Sequence, residues 1–187
     1  MDLKNLLQEK RSHIIKKWSD VVLASYPEQS QKFLRKQKDA IANPVGSTIS
    51  EGIASIYDEL LKESESDHIA LFLDNIIRVR AIQEFSPSQA VSFIFALKHI
   101  IRNELEDEIR QGEVSEQLAA FEAKIDGLAL LCFDIYTQCR QKIFDIRVNE
   151  VRNQSSKLLK MAGLIYEIPE FEPDLKEDKE DKVNNNG

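Results

Sequence analysis

The stretch from Asp74 to Asn103 limits the fold of this chain more than any other, because it joins a well-specified corner to a mostly apolar helix. Ser86 stands where a helix N-cap is expected, and Pro87 follows at the first helical position, where a missing N–H costs nothing. Gln89 comes three residues after Ser86, so its side chain can complete a capping box. The corner therefore predicts that a helix begins at Pro87.

This helix is apolar around most of its circumference. Its apolar side chains are Ala90, Val91, Phe93, Ile94, Phe95, Ala96, Leu97, Ile100 and Ile101. A helix of this kind is buried inside a globular domain. We therefore expect it to be the centre of the fold, with Phe93, Ile94, Leu97 and Ile101 in the core.

The composition favours helices throughout the chain. Only 6 Gly and 5 Pro occur in 187 residues, and no alternating Val/Ile/Thr run bounded by turn residues predicts a strand. We predict an all-α fold with a single helical domain of about six helices over residues 1–163, ending in a long C-terminal helix. Residues 164–187 contain prolines and then many acidic side chains, and this composition predicts a disordered tail.

The helix boundaries before the corner are predicted from local signals. One amphipathic helix is expected over residues 2–24, where Tyr26-Pro27 ends it, and a short basic helix over about 28–38. The turn residues of 43–46 predict a loop, and Thr48 with Glu51 forms a capping box that opens the next helix.

The charge of the chain is concentrated at its end. The formal net charge is −7; residues 1–43 carry nine basic and five acidic side chains, and residues 167–187 carry three basic and eight acidic ones. The folded part is thus nearer to neutral and predicts no nucleic-acid partner. No apolar run is long enough to insert in a membrane, and the first residues do not resemble a signal peptide, so we expect a cytoplasmic protein.

The last helix carries the longest apolar pattern. A seam at three- and four-residue steps is formed by Leu118, Phe121, Ile125, Leu128, Cys132, Ile135, Cys139 and Ile146. A second edge contains Ala129, Phe133, Tyr136, Ile143 and Phe144. Both cannot face one small core, so we predict a homodimer whose interface includes Leu118, Ile125, Cys132, Phe133, Tyr136, Cys139, Phe144 and Ile146. The alternative is a monomer in which other helices wrap this helix on both sides.

The two cysteines lie on this seam. Cys132 and Cys139 are seven residues apart, about 10.5 Å along a helix, which is too far for a disulfide within one chain. Buried thiols in such positions act as small hydrophobic side chains. A cysteine near a two-fold axis could instead meet its counterpart in a second chain, as a redox event.

With these motifs the chain resembles the N-terminal domain of the RsbRD-type RsbT co-antagonist family over about residues 10–152. The resemblance is carried by Trp18, Asn43-Pro44, Arg78-Val79-Arg80-Ala81, Phe85-Ser86-Pro87-Ser88-Gln89-Ala90, Leu97-Lys98, Phe133-Asp134-Ile135-Tyr136 and Arg140. It implies a sensory input module with a dimeric, globin-like fold, whose last helix leads into a STAS domain that signals to partner-switching proteins. We expect no STAS domain here, because the residues that follow the last helix form a short acidic tail.

Charged side chains beside the corner are candidates for a site. Arg78 and Arg80, with Glu84, precede the corner, and their two-residue spacing points the arginines to opposite sides of the helix. We expect one arginine to be partly buried and paired with a carboxylate such as Asp126 or Asp134. Two interpretations stay open, a structural ion pair that holds the corner and an anion-sensing pocket.

Catalytic and cofactor sites have little support in the sequence. His99 is the one histidine among apolar neighbours, and it is more typical of a core histidine than of a haem ligand. No His/Cys/Asp spacing suits zinc, and no serine or cysteine lies in a nucleophile motif. We therefore expect a regulatory domain that is not an enzyme, has no metal or other cofactor and acts on a protein partner of unknown identity. The alternatives are an accessory subunit of a larger complex and a ligand- or haem-binding sensor.

Overall fold

The computed structural model describes residues 2–36, 42–62, 68–83, 85–112 and 114–164, and this part of the chain is all-α, as predicted. Its helices are α1 (Leu3–Glu9), α2 (Arg11–Ala24), α3 (Glu28–Lys36), α4 (Pro44–Leu60), α5 (His68–Ile82), α6 (Pro87–Glu104), α7 (Glu106–Arg110) and α8 (Ser115–Met161). The predicted disordered tail lies outside the described residues, apart from residue 164. The chain divides into compact units at 1–146 and 147–187, and the predicted domain end at 163 stays a prediction.

The described ranges contain eight helices and not the predicted six, because two of the predicted helices are each divided into two. The predicted first helix is interrupted at Lys10. The ammonium group of Lys10 donates to the Glu104 carbonyl oxygen, and it also donates to the Glu108 carboxylate, at 2.9 Å. The central helix ends at the fully buried Leu105, and α7 follows at once. Apolar periodicity continues through both breaks, so the sequence pattern does not reveal them.

The start of α4 also differs from the prediction. Residues 44–46 are helical, and Asn43 is the N-cap: its Oδ1 accepts from the Gly46 N–H at 2.9 Å, and its Nδ2 donates to the Leu34 carbonyl at 3.0 Å. A Cβ on Gly46 would lie 2.2 Å from the Asn43 side chain, so this cap requires glycine there. The capping box predicted at Thr48 and Glu51 is wrong, since both residues lie inside α4.

The central position of α6 is confirmed. Phe93, Ile94, Leu97 and Ile101 are buried, and the Phe93 carbonyl accepts from the indole of the fully buried Trp18 on α2 at 2.7 Å. The capping box is confirmed as well. The Gln89 N–H donates to the Ser86 hydroxyl at 3.3 Å, and the Ser86 N–H donates to the Gln89 side chain at 2.9 Å.

Ion pairs set the register between α6 and α8. Lys98 pairs with Asp126 and Arg102 with Glu122, both at 2.6 Å. From the first pair to the second, the residue number rises by four on α6 and falls by four on α8, so the two helices run antiparallel. This register brings the middle of α8 alongside the corner at which α6 begins.

Candidate functional site: a buried arginine at the corner

Arg80 lies in the last turn of α5, and its side chain is fully buried. One guanidinium nitrogen, Nη2, donates to the Gln89 carbonyl in the first turn of α6 at 2.8 Å. The Arg80 carbonyl accepts from the Phe85 N–H at 3.3 Å, and this backbone bond spans the turn between α5 and α6. The remaining nitrogens, Nε and Nη1, are buried and have no hydrogen-bond partner among the described residues.

Three aromatic rings surround this guanidinium. Its central carbon lies 4.3 Å from the ring centroid of Phe85, 5.3 Å from that of Phe93 and 5.7 Å from that of Tyr26. Tyr26 and Phe85 also contact each other edge to face, with centroids 5.2 Å apart. Aromatic faces attract a cation, so these rings stabilise the charge in part. We call Arg80 and these three residues the arginine box.

One arginine is predicted to be partly buried; Arg80 is fully buried, and the expected carboxylate partners are wrong. Asp126 pairs with Lys98, and Asp134 is exposed. Arg78 points outward and pairs with Asp74 on its own helix at 2.6 Å. Glu84 lies outside the described residues. Within the described ranges Arg80 has no ion pair, and burial lowers its pKa, with the nearby Tyr26 opposing this shift.

Tyr26 connects the arginine box to a pocket of about 510 Å³. The pocket is lined by Tyr26, Gln29, Ser30, Phe33, Leu34, Asn43, Pro44, Val45 and Gln83. These side chains are apolar or neutral and polar. The Tyr26 hydroxyl is buried and has no hydrogen-bond partner of normal geometry among the described residues. Burial raises its pKa, and the nearby Arg80 guanidinium opposes the shift through its charge and its proximity to the hydroxyl. Sequence reasoning missed Tyr26, which was interpreted only as the end of a helix.

Two side chains of α8 hold the corner. The Tyr136 hydroxyl donates to the Phe85 carbonyl, and Arg140 Nη1 donates to the Ala81 carbonyl at 3.1 Å. Cys132 lies one turn before Tyr136 on the buried side of α8. Burial raises the pKa of its thiol to about 12, opposed by the Arg80 charge, so this thiol is protonated at neutral pH. The arginine box therefore borders α8 directly, through Cys132 and Tyr136.

The residues predicted for a dimer interface fall into two groups. The first group is buried in the core of the single chain, so its predicted place in a dimer interface is corrected. It consists of Leu118, Ile125, Cys132 and Tyr136. Phe133, Phe144 and Ile146 are exposed by 48, 60 and 66%, and Cys139 is half-buried. Leu130, which the sequence pattern did not single out, is 70% exposed.

The other predicted sites find no support from their surroundings. His99 lies exposed on α6, so it does not face the apolar cavity that a haem ligand needs. In the described ranges, no group of three His, Cys, Asp or Glu side chains is arranged to hold a metal ion. None of the helices in those ranges combines the length and low polarity needed to cross a membrane.

Comparisons with known proteins agree with the resemblance seen in the sequence. An uncharacterized protein of Archaeoglobus fulgidus is 25% identical over 143 residues, which cover 75% of this chain and 83% of the relative. No solved structure matches the chain. Residues 12–151 match the RsbT co-antagonist protein RsbRD N-terminal domain, and this match spans the arginine box and most of α8. The chain therefore belongs to the RsbRD N-terminal domain family of RsbT co-antagonist proteins.

Proposed function

We propose that this protein is a regulatory input domain that performs no catalysis and acts in the cytoplasm through protein contacts made by α8. Membership of the family supports a regulatory role. The observation that carries the proposal is an apolar stripe on α8 that the core does not use. The stripe consists of Leu130, Phe133 and Phe144, all exposed, with the exposed Thr137 between them.

The stripe follows from the helical repeat. At about 100° per residue, Leu130, Phe133, Thr137 and Phe144 fall within a sector of about 60°, and the buried residues Ile125, Cys132 and Tyr136 lie roughly a quarter turn away. One face of α8 therefore packs on the core while a neighbouring face is open. Exposed apolar stripes of this kind mark contact surfaces in soluble proteins.

A second copy of the chain is the partner that fits the charges of α8. Residues 115–134 carry four acidic side chains and one basic, a net charge of −3, whereas residues 135–161 carry six basic and two acidic, a net charge of +4. Two such helices side by side in antiparallel order place each acidic half against a basic half.

The same arrangement fits the stripe. Leu130 and Phe144 are each seven residues from Thr137, so a two-fold axis at Thr137 sets Leu130 of one copy against Phe144 of the other. Because Tyr136 and Arg140 also hold the corner, pairing through α8 couples the arginine box to the contact surface.

Light scattering at micromolar concentration tests this function. The wild-type chain should give twice the mass of the 21.5 kDa chain, and Phe144→Glu should give a monomer. Leu71→Glu is the matched control, because Leu71 on α5 is exposed to a similar extent, 58% against 60% for Phe144, and the dimer should persist in this variant.

Other outcomes have a definite meaning. A monomeric wild-type chain that copurifies from its native cells with one other protein would favour the accessory subunit, with the stripe covered by that protein. A monomer without a partner that turns over a substrate would contradict the proposal entirely.

A further inference from the structure

We propose that the arginine box and the adjoining pocket bind a small organic carboxylate, with its head on Arg80 and Tyr26 and its neutral body in the pocket. In this proposal the ligand is the signal that the regulatory domain senses. The proposal does not depend on pairing through α8, and the two can fail separately.

The first argument is the charge of Arg80, which has no ion pair among the described residues. Buried charges in proteins are paired with an opposite charge, because an isolated ion is costly in a medium of low dielectric constant. The three rings cover the guanidinium but add no negative charge. The partners that Nε and Nη1 lack among the described residues are acceptors, and a carboxylate supplies both acceptor oxygens and the counter-charge.

The second argument is Tyr26, which lines the pocket and whose buried hydroxyl, close to Arg80, has no hydrogen-bond partner of normal geometry among the described residues. Tyr26, which follows α2, and Arg80, near the end of α5, thus lie close together, and both have donor capacity left for a ligand. A hydroxyl donates well to a carboxylate oxygen. Tyr26 stands between the guanidinium and the pocket, so the ligand enters by displacing this ring, which then donates to it.

The pocket selects the rest of the ligand. Its lining combines apolar surface from Phe33, Leu34 and Val45 with neutral hydrogen-bonding groups from Gln29 and Gln83, and the described residues that line it carry no formal charge. This lining accommodates an uncharged aromatic or aliphatic body and disfavours a second carboxylate or an ammonium group. A volume of about 510 Å³ lies within the usual range for small-molecule sites.

Ligand binding would reach α8 through Phe85. The Phe85 ring contacts both Tyr26 and the guanidinium, and its carbonyl accepts from Tyr136 on α8. Displacement of Tyr26 therefore changes the packing of a residue that is bonded to α8. This is a route by which a ligand regulates the stripe.

Calorimetric titration with benzoate and hexanoate tests the proposal, with benzamide as the neutral counterpart of benzoate. At constant ionic strength, one or both acids should bind saturably to one site per chain and raise the unfolding temperature, and benzamide should do neither. Tyr26→Phe keeps the ring, so it should fold normally and weaken binding about fivefold through the lost hydrogen bond. Tyr57→Phe is the control: it removes a buried hydroxyl that bonds to the Leu7 carbonyl, and it should leave affinity unchanged.

Arg80→Met should abolish binding of the acids. Should this variant fail to fold, Tyr26→Phe still decides the matter, because an affinity unchanged from wild type would place the acids elsewhere and overturn the proposal. Absence of saturable binding by both acids would overturn it too, and so would equal binding of benzoate and sulfate. If Glu84→Gln destabilises the chain as much as Arg80→Met, Glu84 supplies the counter-charge and the site needs no ligand.

Discussion

The arginine box and the stripe on α8 place polar and apolar groups in opposite ways. In the box a charged side chain is fully enclosed, and its neighbours are aromatic rings. On the stripe, large apolar side chains face water. Each arrangement costs free energy, and in our proposals an anion offsets the first cost and a second protein surface the second. Our two proposals assign different partners to these regions, a small molecule to the box and a protein to the stripe.

The largest effect on stability is expected on the box side of this comparison. Phe93 is almost fully buried and contacts both Trp18 and the Arg80 guanidinium. Phe93→Ala should lower the free energy of unfolding by about 3–5 kcal/mol, because it leaves a cavity in the core. Urea unfolding measures this loss, and a midpoint close to that of the wild type would remove α6 from the centre of the fold.

The cap of the corner should have an intermediate effect. Ser86→Ala removes the hydroxyl that accepts from the Gln89 N–H, and a loss of about 0.5–2 kcal/mol is expected. Ser92→Ala is the control, because the Ser92 hydroxyl takes no part in the cap: it donates to the Gln89 carbonyl, which keeps its bond from Arg80 in this variant. Equal unfolding midpoints for the two variants would show that the cap does not stabilise the corner.

A smaller effect is expected from acid. Hydrogen bonding to Lys17, and then to His13, lowers the pKa of Glu104 from its ordinary value of 4.5. A carboxyl group with a lowered pKa stabilises the fold above 4.5 and loses that contribution as the pH falls through its folded value. Glu104→Gln should therefore reduce the fall in stability between about pH 5 and pH 3, by less than ~1 kcal/mol. Thermal unfolding across that range, wild type against variant, measures it, and parallel curves would contradict it.

The smallest effect on folding is expected on the stripe. Phe133→Ala should change the unfolding free energy of the dissociated chain by less than about 0.5 kcal/mol, because an exposed side chain has little contact to lose. The same change should weaken self-association. Sedimentation at several protein concentrations separates the two quantities. A large loss of stability in the monomer would mean that Phe133 packs inside the chain, and the contrast with Phe93 would disappear.

Local signals were enough to predict part of the box but not its composition. The corner, its cap and the burial of one arginine follow from residues within a few positions of one another. The rings of Tyr26 and Phe93 reach Arg80 only after α2 and α6 have packed, so their contacts with Arg80 cannot be predicted from residue spacing in the sequence. The expected partners Asp126 and Asp134 are wrong for the same reason: Asp126 pairs with Lys98 on α6, and Asp134 is exposed.

The sequence by itself determined the all-α class, the capping box at Ser86 and the central place of α6, because helix propensity, capping and apolar periodicity act over a few residues. Tertiary structure decided which apolar face of α8 is buried, where the first and central helices break, and which groups surround Arg80. The physical reason is that α8 has two apolar faces of similar strength. The choice between them depends on the surfaces that other helices present, and those are set by residues far away in the chain.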